Sequence, residues 1–178
     1  MINDKYEIRT EEIDGVSNWI WYKEEKGGAW DSRTHWQSQK NLIQKYCKKF
    51  DVAVQAGGNQ GMYPRLMANI FKTVYTFEPH WENFYSLVLN CNQENIIKIN
   101  GALGDNHTMV SLDGGSDGNM GTWKTSENIH HSIPQFKIDD LTLQHLDLIY
   151  LDVEGYEPNV IEGARNSILK FKFFTHYI

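Results

Sequence analysis

Short apolar runs alternate with stretches of helical periodicity from residue 50 onward, and this rhythm constrains the fold more than any other feature. The apolar runs are Val52–Ala56, Val74–Phe77, Ile96–Ile99, Leu146–Val153 and Phe171–Ile178. The helical stretches between them are Leu66–Phe71, Phe84–Cys91 and Asn159–Leu169. Strand–helix alternation is typical of a mostly parallel sheet with helices on both faces. We therefore predict an α/β fold with its ligand site at the carboxyl ends of the strands.

The N-terminal region differs from the rest in its aromatic content, since it holds four of the six tryptophans, Trp19, Trp21, Trp30 and Trp36. Trp19–Tyr22 alternates like a short strand, and residues 32–48 have the spacing of an amphipathic helix capped by Asp31 or Ser32. We predict an aromatic-rich extension over residues 1–49 and a main domain over 50–178. For the aromatic residues, packing against the sheet is favoured over a platform for substrate.

A glycine-rich insertion at about residues 106–135 interrupts the alternation. It contains Gly114, Gly115, Gly118 and Gly121, with strand-like Met109–Leu112 and Met120–Trp123. Two interpretations remain open here, a surface hairpin and a flap that closes over a substrate.

Composition excludes several classes of function. The 178 residues include 17 Lys and Arg against 23 Asp and Glu, a net charge of −6, which disfavours broad attraction to nucleic acid or anionic membranes. Cys47 and Cys91 form no CxxC pair, so a disulfide scaffold, a zinc site or a redox dithiol is not expected. With no leader and no run of about 18 apolar residues, the sequence predicts a cytoplasmic protein that binds a small molecule, with no metal. Homo-oligomerisation stays open.

The strongest local motif is Gln55-Ala56-Gly57-Gly58-Asn59-Gln60-Gly61, which follows an apolar strand and precedes a helix with Pro64 in its first turn. Glycine permits a sharp turn and a close approach to a ligand, and a helix N-terminus offers unpaired N–H groups. The motif therefore indicates a nucleotide cradle, and a purely structural turn is the alternative.

The next apolar run ends at Glu78-Pro79, and Glu78 lies 21 residues after Gly57. A carboxylate at this position can accept both hydroxyls of a ribose. A surface glutamate at the start of a helix is the alternative. Together the two motifs indicate an adenosine-type cofactor, without separating a dinucleotide from S-adenosylmethionine.

A third block, Asp152-Val153-Glu154-Gly155-Tyr156-Glu157, follows the run at Leu146–Leu151. With Asn100–Asp105 and Ile161–Ala164, the blocks resemble, in order and spacing, the FkbM family of S-adenosylmethionine-dependent methyltransferases. The resemblance covers about residues 50–170, and its most distinctive part is D-x-E-G-x-E with a downstream G-A.

The resemblance implies a Rossmann-like class I methyltransferase sheet and O-methylation of a hydroxyl on a sugar or other small molecule. Because the sequence ends at Ile178, near the expected fifth strand, we expect the C-terminal strand pair of that fold to be missing. The implied cofactor is S-adenosylmethionine, bound by Gln55, Gly57, Gly58, Asn59, Gly61, Glu78, Pro79, Ala102, Leu103 and Asp152. Asp152 would lie at the reacting centre, with Glu154 orienting it or the substrate. Glu157 has the simpler interpretation of a helix-dipole partner.

One departure concerns Gln55, because family members commonly carry Asp or Glu there. It motivates an alternative, a non-catalytic binding or scaffold module that retains the fold. A nicotinamide-dependent oxidoreductase is less favoured, because no Tyr-x-x-x-Lys pair or second domain follows Gly61. For the general base, Asp152 is the first candidate, followed by His80 or His176. A metal site at His130-His131 is not favoured, because adjacent side chains of an extended chain point in opposite directions.

Overall fold

The computed structural model describes residues 4–25, 28–114, 123–126, 132–172 and 174–177. Its strands are β1 Tyr6–Arg9, β2 Trp19–Tyr22, β3 Val52–Ala56, β4 Thr73–Phe77, β5 Ile96–Ile99, β6 Ala102–Leu103, β7 Thr108–Gly114, β8 Trp123–Ser126, β9 Ser132–Phe136, β10 Leu148–Leu151 and β11 Phe174–Tyr177. Its α-helices are α1 Trp36–Tyr46, α2 Met62–Met67, α3 Trp81–Asn90, α4 Glu157–Glu162 and α5 Arg165–Phe171. Short 3-10 helices cover Asp31–His35 and Ile138–Leu141.

The central sheet has five parallel strands in the order β11-β10-β3-β4-β5. The chain builds outward from β3 through β4 to β5 and then returns to the other side of β3 with β10, so the strand order reverses between β3 and β10. Ala56 at the end of β3 is in register with both Phe77 and Leu151. The residues that follow these strands therefore meet at one edge, the position where open α/β sheets bind ligands.

Alternate residues of the strands bury two opposite faces of this sheet. Ala53, Val74 and Tyr150 pack with Trp19, Trp21 and Trp36, together with residues of α1 and α2. Val54, Ile149 and Leu151 pack instead with Val160 of α4, Ala164 and partly buried residues of α5. The predicted parallel sheet with helices on both faces is thus confirmed.

The N-terminal hairpin, β1 paired antiparallel with β2, is attached to the main fold by side-chain amides. Asn90 at the end of α3 accepts from Ile20 N (2.7 Å) and donates to Ile20 O (2.8 Å). The oxygen of the Gln60 side chain accepts from Tyr22 N (2.7 Å). Two side chains therefore replace a neighbouring strand for the outer edge of β2.

The helix expected over residues 32–48 is divided in the structure. Its first part is the 3-10 helix Asp31–His35, and only Trp36–Tyr46 is α-helical. Neither expected cap forms, because the Ser32 hydroxyl donates to Ala29 O (2.7 Å) and Asp31 is paired with Arg33. The expected helix over 159–169 is likewise divided, at Gly163 and Ala164 between α4 and α5. A Cβ at Gly163 would overlap the Gly104 carbonyl, so the two motif glycines pack backbone to backbone.

The described part of the insertion is a small sheet in the order β6-β9-β7-β8. Strand β7 pairs antiparallel with both β8 and β9. Gly115, Gly118 and Gly121 fall outside the described residues, and of the strand-like Met120–Trp123 only Trp123, the first residue of β8, is described. In the described part of the chain, no helix has the length and apolar character required to cross a bilayer.

Candidate active site

A cavity of about 290 Å³ lies at the carboxyl edge of the central sheet. The loops that follow β3, β4 and β10 form its floor, and β6 with Gly101 closes one end. Residues of the N-terminal region and α2 form the opposite wall. The volume is near the low end of the range for small-ligand sites, about 300–1,000 Å³. The cavity thus combines the predicted motifs with a part of the chain that carries none of them.

Each of the five backbone N–H groups of the glycine loop, residues 57–61, donates a hydrogen bond within the protein. Gly57 N and Gly58 N both donate to Phe77 O, at 3.1 and 2.9 Å. The remaining three N–H groups donate to Glu78 Oε2, Asn59 Oδ1 and Gly58 O. The N–H groups of residues 57–61 are therefore not free for a ligand, whereas the prediction of unpaired N–H groups concerned the N-terminus of the following helix, α2, which begins at Met62.

Close packing explains why the first two loop positions are glycine. Gly57 has φ +82°, and a Cβ there would overlap the carbonyl oxygen of Asp152. A Cβ at Gly58 would come within 2.5 Å of Leu87 Cδ1 and 2.7 Å of the Thr76 hydroxyl. The loop consequently lies directly against the ends of β4 and β10.

Gln55 hydrogen-bonds to this loop and is not among the described residues that line the cavity. It is fully buried, its Nε2 donates to Gly57 O (2.7 Å), and its Oε1 accepts from the Thr76 hydroxyl. An Asp or Glu carboxylate could not donate to that carbonyl. Gly61 is also absent from the lining; it has φ +89° and packs against Leu87 of α3.

Glu78 lines the cavity although it is only 4% exposed. Its Oε2 accepts from Asn59 N (2.6 Å), and its Oε1 accepts from His80 N (2.8 Å). Burial is the main reason that the pKa of this carboxyl rises to about 7, and the charge of Asp152 adds to the effect. Asn100 fixes the turn from the other side by donating to Glu78 O (2.8 Å).

Asp152 follows β10 and lines the same cavity. Its side chain is exposed, and its pKa is raised to about 6, mainly because the surrounding protein desolvates the carboxylate, with the charges of Glu154 and Glu157 as smaller causes. Glu154 also lines the cavity, with an exposed side chain and a left-handed backbone at φ +53°. Glu157 begins α4 and accepts from Val153 N (3.2 Å) and Gly155 N (3.3 Å), so it holds the loop that carries Asp152.

Other lining residues were not among the predicted site residues: Gln60 from within the glycine motif, and Trp21, Gly28, Ala29, Ser32, Met62 and Tyr63 from the N-terminal region and α2. Trp21 is 1% exposed and belongs to the core as well as to this wall. Tyr63 donates to Ser32 O (3.0 Å), which ties α2 to the N-terminal region. The concentration of tryptophans was the one available signal, but nothing local to it indicates a cavity.

The structure brings most predicted site residues together. Those lining the cavity are Gly57, Gly58, Asn59, Glu78, Pro79, Ala102, Leu103, Asp152 and Glu154. His80 is buried outside the lining, with its pKa lowered mainly by burial. His130, His131 and the side chain of His176 fall outside the described part of the structure. Among the described residues, no three His, Cys, Asp or Glu side chains are grouped to hold a metal ion.

The family model for the methyltransferase FkbM domain matches residues 55–178, which include every motif described above. The chain belongs to the FkbM methyltransferase family. This agrees with the resemblance in the sequence motifs. No curated protein matches the chain.

Two solved structures are similar to this FkbM-family chain. Methyltransferase FkbM from Methylobacillus flagellatus is 15% identical, with a TM-score of 0.54 over 84% of this chain and 49% of that one. A precorrin 8w decarboxylase from Methanobacterium thermoautotrophicum is 13% identical, with a TM-score of 0.41 over 72% of this chain and 55% of that one. This chain therefore spans about half the length of each, and the first likeness supports the shared fold.

Proposed function

We propose that this chain binds S-adenosylmethionine and transfers its methyl group to a hydroxyl of a sugar or another small molecule. The observation that carries the proposal is a pair of carboxylates, the buried Glu78 and the exposed Asp152, that line one cavity at the strand ends of a family-matched domain. The family supports methyl transfer, and the arrangement of the site supports this cofactor.

The order of the strands shows whether the site is long enough for the proposed cofactor. Asp152, Gly57 and Glu78 follow the neighbouring strands β10, β3 and β4, and Gly101 and Ala102 follow β5, which is next. Neighbouring strands lie about 4.8 Å apart, so this row spans roughly 14 Å, which suits an elongated ligand. Glu78 has lone pairs left for ribose hydroxyls, and Phe77, Pro79 and Leu103 offer apolar surface to a purine.

The hydrogen bonding of the glycine loop argues against a dinucleotide. A dinucleotide pyrophosphate is bound by free N–H groups of such a loop. Here the N–H groups of residues 57–61 already have acceptors inside the protein, and Glu78 itself takes the one from Asn59. A cationic cofactor fits a site lined by carboxylates better than a pyrophosphate does.

When bound, S-adenosylmethionine supplies an electrophilic methyl group on a sulfonium for in-line displacement by an oxygen. Asp152, with a pKa of about 6, is mostly ionised at neutral pH and can take the proton that the acceptor hydroxyl loses. In the balanced reaction an O–C bond forms, the S–C bond breaks, and the proton moves to the carboxylate. The cavity walls contribute by orienting the acceptor and excluding water.

Titration calorimetry with S-adenosylmethionine, S-adenosylhomocysteine and NAD tests the cofactor. We expect the first two to bind and NAD not to bind. Glu78→Ala should abolish that binding, and Glu94→Ala, the same change at an exposed position, should leave it intact. Binding of NAD alone, or of none of the three, would contradict the proposal. Binding without turnover on any hydroxylated acceptor would favour the non-catalytic alternative.

A further inference from the structure

One end of the cavity is not used by the row of strand-end residues assigned to the cofactor. Trp21, Ala29 and Ser32 from the N-terminal region line it, together with Met62 and Tyr63 of α2. Hydrogen bonds connect these residues, because the Tyr63 hydroxyl donates to Ser32 O (3.0 Å) and the Ser32 hydroxyl donates to Ala29 O (2.7 Å). We refer to these five residues as the N-terminal wall.

The N-terminal wall lies on the same side of the sheet as Asp152. The Tyr150 side chain packs in the core cluster that contains Trp21, and its ring centroid is 5.5 Å from that of Tyr63. The pKa of the Tyr63 hydroxyl is raised mainly by burial and also by the charge of Asp152, so Asp152 lies near this side of the cavity. A molecule held by the N-terminal wall would therefore lie next to the candidate base.

The charges around the cavity restrict what can enter. Among the described lining residues, Glu78, Asp152 and Glu154 are acidic, and none is Lys, Arg or His. A phosphate or carboxylate group on an acceptor would meet these carboxylates without a compensating cation from the described lining. The electrostatics consequently favour an uncharged acceptor over an anionic one.

The surface of the N-terminal wall is apolar and aromatic, with one available hydrogen-bond donor beside it. Indole and phenol rings pack well against the face of a ring-shaped ligand. Gln60, which also lines the cavity, is fixed by its Oε1, which accepts from Tyr22 N (2.7 Å). Its Nε2 is buried and has no acceptor among the described residues, an unfavourable state that a ligand oxygen would relieve.

We propose that the N-terminal wall is the acceptor subsite and that it selects uncharged, ring-bearing hydroxyl compounds over anionic ones. This inference rests on the proposed function, because it assumes that the cofactor occupies the row from Asp152 to Ala102. It goes beyond that function by locating the acceptor and naming its charge class.

A matched pair of probes tests the charge selectivity. Protein saturated with S-adenosylhomocysteine is titrated with 4-methylumbelliferyl glucoside and with 4-methylumbelliferyl glucuronide, which differ by one carboxylate. We expect the glucoside to bind and the glucuronide to bind at least about fivefold more weakly, the factor for one unit-charge repulsion at about 4 Å in water. Glu154→Asn removes one charge and suits the left-handed backbone, so it should reduce the difference in affinity between the glucoside and the glucuronide.

A cavity-filling variant tests the location. Ala29→Phe should abolish glucoside binding and leave the affinity for S-adenosylhomocysteine unchanged. Gln37→Phe is the control, because it adds the same aromatic group at an exposed position of α1 outside the lining, and it should change neither affinity. Ala29→Leu provides a smaller filling group in case the phenylalanine variant does not fold.

The possible outcomes distinguish a failure of the acceptor-subsite proposal from a failure of the cofactor proposal. A glucuronide affinity equal to or above that of the glucoside would overturn the charge selectivity, and glucoside binding retained in a folded Ala29 variant would overturn the location. Failure of both probes to bind the loaded wild type would overturn the ring-bearing class. Absence of S-adenosylhomocysteine binding by the wild type would overturn the proposed function itself.

Discussion

The two carboxylates of the cavity, Glu78 after β4 and Asp152 after β10, are held in different ways. Both oxygens of Glu78 accept backbone N–H groups, at 2.6 and 2.8 Å. Asp152 is fixed mainly through its backbone, with its N donating to Ala56 O (3.1 Å) and its carbonyl against Gly57. The first carboxylate thus organises the loop beside it, and the second keeps its side chain available for chemistry. The same residue class is hydrogen-bonded to the loop at one strand end and is exposed at the cavity at the other.

The largest effect is expected where the two strand ends touch, at Gly57. In Gly57→Ala the new methyl group would overlap the Asp152 carbonyl and the backbone would be strained at φ +82°, so we expect a loss of about 3 kcal/mol or more in the free energy of unfolding. Gly155→Ala is the control, because it has φ +94° and open space around it and should lose only about 1–2 kcal/mol. Urea denaturation measures both, and equal losses would mean that the contact with Asp152 is not tight.

Glu78→Ala should lower the free energy of unfolding by about 2–4 kcal/mol, because it leaves the N–H groups of Asn59 and His80 buried without their acceptor. Asp152→Ala leaves no pair of buried N–H groups without an acceptor, so it should lower the free energy of unfolding by clearly less. Thermal and urea denaturation at pH 6 compare the two variants. Similar losses would show that the two carboxylates do not differ in structural role.

Stability should fall as the pH rises from 5 to 8. The pKa values of Glu78 and Asp152 are raised to about 7 and about 6, so in this range these two groups bind more protons in the folded state than in the unfolded state, and together they outweigh the opposite effect of the single lowered pKa of His80. The native state is then favoured at the acid end and loses this advantage as each group ionises. Asp152→Asn should remove less than about 1 kcal/mol of the decline, because solvent screens this exposed carboxylate, and urea denaturation at both pH values measures it. A decline unchanged in this variant would contradict the shifted pKa of Asp152.

The smallest predicted effect is a pH-dependent preference between two ligands. An ionised Asp152 near the reacting centre attracts the sulfonium of S-adenosylmethionine but not the neutral S-adenosylhomocysteine. The ratio of their affinities should therefore increase by about fivefold in favour of S-adenosylmethionine as the pH rises through about 6. Calorimetry at pH 5 and pH 7.5 measures it, with Asp152→Asn expected to show a constant ratio. A constant ratio in the wild type would place Asp152 away from the sulfonium.

Much of the sheet was predictable because its strands are coded locally. The run Val52–Ala56 forms β3 with the predicted limits, and Glu78 and Asp152 directly follow strands, as predicted. Helix limits were less predictable. The stretch 159–169 is periodic throughout, yet it is divided where Gly163 meets Gly104, a residue 59 positions earlier in the chain.

The role of Gln55 illustrates what pattern comparison misses. A missing acidic group suggests a weakened site, but the side chain is buried and bonds to Gly57 O and Thr76. Whether a polar residue faces a ligand or supports a loop depends on which neighbours surround it, and its sequence position does not reveal them.

The sequence by itself determined the parallel sheet, the row of motifs along its edge and the family, because a strand and the loop after it are continuous in the chain. The tertiary structure alone decided that Trp21, Ser32 and Tyr63 close the cavity beside Asp152. It did so through long-range contacts, in which Gln60 and Asn90 hold β2 and Tyr63 bonds to Ser32. Such contacts join residues tens of positions apart, so no local periodicity or spacing records them.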